Sequence, residues 1–204
     1  MSTEPESLQF FKVNIDNLES FIGLIVTDFH IGKFNDFLKE KDTLISKLKQ
    51  LVNEINPTHL FILGDIINYS ESSPIEWYYE FFNDFKKNIL LPTYIIPGNH
   101  DRHPQFMNCF HQFNNDEHLR CIDADFLEIP FNTFSVFLVH DAKYDSNLYG
   151  MLPIADWMNK IRNWKCCQKN IKKNDIIIFG HAHTDFDDEE NKNHVIGPFS
   201  ISLK

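Results

Sequence analysis

The chain has 204 residues, 43% of them hydrophobic, and its 29 acidic against 19 basic side chains give a formal net charge of −10. That length and apolar share suit a single domain over residues 1–204 with a sizeable core. The acidic balance excludes a general nucleic-acid or membrane binder working through a basic face.

The N-terminal stretch MSTEPESLQFFKVNIDNLES has no basic segment leading into an apolar one. No apolar run reaches about 18 residues, so a cytoplasmic chain without a membrane span is expected. Residues 21–30, FIGLIVTDFH, are an apolar run bounded by polar residues and read as a buried strand. Over 41–55, Leu44, Leu48, Leu51 and Ile55 recur at helical spacing, and Pro57 helps to end that helix. THLFILGD, 58–65, is a second buried strand. Pro74 opens a helix over 74–90, with Trp77, Phe81 and Phe85 on one stripe. PTYIIPGNH, 92–100, is a third strand. This alternation is the βαβ pattern of a parallel sheet.

After a short helix over 105–113 the texture changes. Residues 120–130 and 133–140 read as strands with short links, which implies more antiparallel pairing. Residues 154–168 read as helix, 174–183 as a buried strand and 193–203 as one or two closing strands. The acidic run 185–190, DFDDEE, reads as a solvated turn. Cys109, Cys121, Cys166 and Cys167 form no CxxC pair and read as reduced thiols.

Each strong strand ends in a polar cluster: Asp28-Phe29-His30, Gly64-Asp65, Gly98-Asn99-His100-Asp101, His140-Asp141 and Gly180-His181-Ala182-His183. In α/β sheets, sites form outside the carboxyl ends of the strands, so these clusters can converge. Carboxylate, imidazole and amide oxygen together suit a pair of divalent transition ions, manganese first, with iron, zinc or cobalt as alternatives to it. With no cysteine in the clusters, a thiolate zinc finger is excluded.

In this order, Asp28-x-His30, Gly64-Asp65, Gly98-Asn99-His100-Asp101, His140 and Gly180-His181-x-His183 resemble the calcineurin-like metallophosphoesterases. The motifs span residues 28–183. The resemblance implies an α/β fold, a four-layer α/β/β/α sandwich of two mixed sheets flanked by helices. It implies that Asp28, His30, Asp65 and His183 hold one metal ion. Asp65, Asn99, His140 and His181 would hold the other, with Asp65 as the bridge. His100, steadied by Asp101, would bind a phosphoryl oxygen or protonate the leaving group. A bridging hydroxide would attack phosphorus in line.

Arg102 and His103 follow the third motif, where they reach either a substrate phosphate or the surface. The segments 102–120 and 141–164 are expected to wall the substrate site. The reading is therefore a dimetal phosphohydrolase acting on a small phosphodiester, nucleotide or pyrophosphate. A metal-dependent nuclease and a non-catalytic protein-binding scaffold of the same fold are the alternatives.

Overall fold

The computed structural model describes residues 8–33, 36–68, 74–113, 116–140, 163, 165–181, 186–188, 193–195 and 201–203. The strands, in chain order, are β1 (Phe10–Lys12), β2 (Gly23–Val26), β3 (His59–Leu63), β4 (Thr93–Ile96) and β5 (Leu119–Cys121). They continue with β6 (Phe126–Pro130), β7 (Ser135–Val139), β8 (Ile176–Phe179), β9 (Phe186–Asp188), β10 (Asn193–Val195) and β11 (Ile201–Leu203). The helices are α1 (Phe37–Ile55), α2 (Ile75–Asn88), α3 (Pro104–His111) and α4 (Lys165–Gln168).

Among the described residues these strands form two mixed sheets. One runs β11-β2-β3-β4-β5, with β2 to β5 parallel and β11 antiparallel at its edge. The other runs β1-β6-β7-β8-β10-β9, where β6 and β7 pair antiparallel but β7, β8 and β10 are parallel. The first sheet is covered on both faces, which is why its strands read as unbroken apolar runs. Leu24, Val26, Leu60, Ile62 and Ile95 meet the helices. Ile25, Phe61, Leu63, Tyr94 and Ile96 meet the second sheet across Leu127, Ile129, Val136, Leu138 and Ile178.

Phenylalanines fill the helical layer. Phe81, Phe82 and Phe85 of α2 pack with Phe106 and Phe110 of α3 in a tilted and edge-to-face array. Phe37 at the start of α1 stacks on Trp77, with ring centroids 4.6 Å apart. Asp36 caps α1, its carboxylate accepting the Lys39 N–H at 3.3 Å, so the helix begins before the expected residue 41. Asn56 ends α1 at φ 51°, the left-handed turn that asparagine tolerates.

One local expectation is corrected. The acidic run is no plain turn, because Phe186–Asp188 form β9, an edge strand antiparallel to β10. Charged residues suit an edge, where they discourage further pairing. The N-terminal residues supply β1, parallel to β6, a strand too short to show a period. Of the helix expected over 154–168, residues 154–162 and 164 lie outside the described residues. Among those described, no helix is long and apolar enough to cross a membrane.

Candidate metal centre

The parallel order of β2, β3 and β4 brings their carboxyl ends side by side, and pairing continues past the strands. The Asp28 N–H donates to Gly64 O at 3.2 Å, the His30 N–H to Asp65 O at 2.8 Å, and Ile31 bridges Ile67. The chain achieves this by turning sharply at left-handed residues. Asp28 (φ 58°), His30 (φ 47°), Asp65 (φ 50°) and His181 (φ 67°) all occupy the αL region. Among the described residues only one further non-glycine residue does so, the helix-capping Asn56. Side chains in αL cost conformational energy, and such costs gather where geometry serves function.

Gly98 permits the third cluster to close on the second. A Cβ at this position would lie 2.2 Å from Asp65 Oδ1 and 2.5 Å from Asp65 N. The Asp65 carboxylate is thus wrapped by the third-motif turn, and its Oδ1 accepts the His100 N–H at 2.9 Å.

Asp65 is the hub. Its Oδ2 lies 3.2 Å from His140 Nε2 and 3.7 Å from His30 Nε2. Asp28 Oδ1 lies 3.8 Å from that same His30 nitrogen, and Asp28 Oδ2 accepts the His181 N–H at 3.0 Å. Asn99 Oδ1 stands 3.2 Å from His140 Nε2. Two groups of donor atoms, each within 4.8 Å, share Asp65: one adds His30 and His100, the other His140 and His181. Burial by itself would push the Asp65 carboxyl up. The hydrogen bond and charge of His140, with the His100 N–H, hold it well below the usual carboxylate range.

His140 is oriented from behind. Its Nδ1 meets the Leu63 carbonyl, which can only accept, so Nδ1 carries the proton and Nε2 faces Asp65 and Asn99. Thr27 donates its hydroxyl to the same carbonyl at 2.7 Å and lies 3.4 Å from Nδ1. Sequence reading passed over Thr27; the available signal was a hydroxyl directly before the first carboxylate.

The donor set, two carboxylates, three imidazoles and an amide oxygen without a thiolate, fits hard or borderline divalent cations. Of the expected ligands, Asp28, His30, Asp65, Asn99, His140 and His181 gather here, and His183 lies outside the described residues. His100 is exposed at the mouth, its ring perpendicular to that of His30 at 4.9 Å.

Asp101 does not hold the His100 imidazole. Its buried carboxylate instead accepts backbone N–H groups from Gly98 at 2.9 Å, Ile66 at 3.0 Å and Ile67 at 3.3 Å. The physical reason is that two neighbouring segments, one at Ile66 and Ile67 and one at Gly98, present three N–H groups that need an acceptor. Burial, then the charge of Asp65, push the Asp101 carboxyl up to about 7. Arg102 turns toward Asp123 (3.4 Å) and Asp125 (3.9 Å), and His103 caps α3 by accepting the Gln105 N–H at 3.3 Å. Both expected substrate contacts are therefore engaged within the fold. The candidate wall over 141–162 lies outside the described residues.

Residues 24–196 match the family model of the calcineurin-like phosphoesterases. No curated protein matches the chain. Among solved structures it is similar to the Pseudomonas putida nuclease MPE, at 20% identity and a TM-score of 0.41, over 82% of this chain and 64% of that one. The chain thus spans less than two thirds of that nuclease's length.

Proposed function

We propose, from the premise that this chain belongs to the calcineurin-like phosphoesterase family, that it is a dimetal phosphohydrolase acting on a small phosphodiester, nucleotide or pyrophosphate. Asp28, His30, Asp65 and His183 are assigned to one ion, and Asp65, Asn99, His140 and His181 to the other. Manganese is the first choice of metal and the cytoplasm the assigned location. When bound, the ions supply positive charge that polarises a phosphoryl group and makes hydroxide available near neutral pH.

The chain's own residues do the rest. The Leu63 carbonyl and Thr27 keep the His140 ring turned toward the centre. Asp101 holds the turn that presents Asn99 and His100. His100 reaches outward to donate to a phosphoryl oxygen or to the leaving group. The observation that carries this reading is the set of four donor residues, Asp28, His30, Asp65 and His181, all held in left-handed backbone at converging strand ends.

The test compares bis-p-nitrophenyl phosphate with p-nitrophenyl phosphate, using metal-stripped protein before and after Mn²⁺ addition, and repeats both with Asp65→Asn. Metal-dependent turnover lost in the variant is expected, and the faster substrate separates diesterase from monoesterase. Absence of both turnover and metal binding overturns the reading.

A further inference from the structure

A cleft of about 600 Å³ opens directly from Asp28 and His30, along the first turns of α1. Its lining includes Lys33, Lys39 and Lys47, all exposed, on a chain whose net charge is −10. Three carboxylates, Asp28, Asp36 and Glu40, line the same cleft, so its lining is formally neutral on a chain that is strongly acidic.

Besides Asp28, two acids line the cleft, and each accepts a backbone N–H. Asp36 caps α1 through the Lys39 N–H, and Glu40 accepts the Gly32 N–H at 2.7 Å. Lys33 and Lys39 make no ion pair among the described residues. Lys39, Thr43 and Lys47 follow one another at four-residue spacing, so they line one face of α1 over about 12 Å. The positive end of the α1 dipole points the same way. Phe29 and the buried Leu44 add apolar surface to the lining.

We propose that this cleft binds a second phosphoryl group of the substrate, beyond the one cleaved. The ligand class is a small molecule with two phosphoryl groups joined by a partly apolar body. Lys33, Lys39 and Lys47 are its specificity residues. The inference rests on the hydrolase reading above, because it takes the cleaved phosphate to lie at Asp28 and His30.

The test uses the p-nitrophenyl ester of thymidine 5′-phosphate, with and without a 3′-phosphate. The 3′-phosphate is expected to lower KM about tenfold, the worth of one charge-assisted hydrogen bond. The triple variant Lys33→Gln/Lys39→Gln/Lys47→Gln loses that preference. Lys49→Gln, on the same helix but outside the cleft, retains it.

A second readout does not need turnover. Acetylation of Lys33, Lys39 and Lys47, followed by mass spectrometry, is expected to slow when thymidine 3′,5′-bisphosphate is present, while Lys49 reacts as before. Turnover with neither preference nor protection overturns the cleft and leaves the hydrolase standing. Protection with neither turnover of any ester nor metal binding keeps the phosphoryl-binding cleft and refutes the hydrolase reading. Preference that survives in the triple variant overturns the lysine assignment. Protection by a short single-stranded oligonucleotide, but not by the bisphosphate, overturns the small-ligand class.

Discussion

Replacing Asp101 separates two roles that the third motif allows. The side chain is 1% exposed and accepts N–H groups of Gly98, Ile66 and Ile67 at 2.9, 3.0 and 3.3 Å. Asp101→Ala leaves three buried donors without that acceptor, each costing about 1–3 kcal/mol, so a loss of about 3–9 kcal/mol is expected. For a chain of this size that lowers Tm by roughly 6–36 °C. Asp101→Asn keeps one acceptor oxygen but turns an NH₂ group toward an N–H, so about half the loss is expected. Urea unfolding measures the stability of all three proteins, and kcat/KM for bis-p-nitrophenyl phosphate is taken on the folded fraction. If Asp101 positions the turn, stability falls first and activity follows it. A loss below about 1 kcal/mol with kcat reduced a hundredfold would refute this reasoning. It would restore Asp101 as the partner of His100.

Three further outcomes follow from the packing. Lys41 is 3% exposed and joins α1 to α2 through Glu80 at 2.6 Å and through Asp84. Lys41→Met leaves those carboxylates facing each other and is expected to cost about 1–3 kcal/mol in urea unfolding at pH 7. The hydrogen bond from Lys41 holds the Asp84 carboxyl below its ordinary value of 3.8. A carboxyl lowered in the fold stabilises it above that value and loses the effect as pH falls further, so the gap between wild type and variant should narrow as pH falls below 3.8. A pH-independent gap would trace the cost to packing alone. Thr27→Val removes the hydroxyl behind His140, and metal affinity measured by calorimetry should fall about 10–100-fold; an unchanged Kd would count against orientation from behind. Gly98→Ala forces a Cβ to 2.2 Å from Asp65 Oδ1, so metal binding should weaken more than overall stability; the reverse order would show that the turn can yield.

Much of the architecture is legible in the chain. Residues 23–26, 59–63 and 93–96 are buried on both faces, and that double burial writes itself as continuous apolar runs. The α1 and α2 stripes declare their period through Leu44, Leu48, Phe81 and Phe85. Strand ends carry the candidate donors because a parallel sheet leaves its carboxyl edge open, so order along the chain already names Asp28, Asp65, Asn99 and His140. Short edge strands such as Phe10–Lys12 and Phe186–Asp188 stay hidden, because three residues hold no period and pairing comes from a distant partner.

What the sequence determined alone is therefore the kind of chemistry: which side chains stand at the ends of which strands. Only the tertiary structure decided how they are used. It gave the Asp101 carboxylate to three backbone N–H groups, drew Arg102 to Asp123, and put Thr27 behind His140. It also set three lysines of one loop and helix beside Asp28 and His30. Hydrogen-bond partners and charge neighbours are long-range properties. A buried carboxylate goes to whichever donors the fold leaves unsatisfied, and adjacency in sequence does not say which those are.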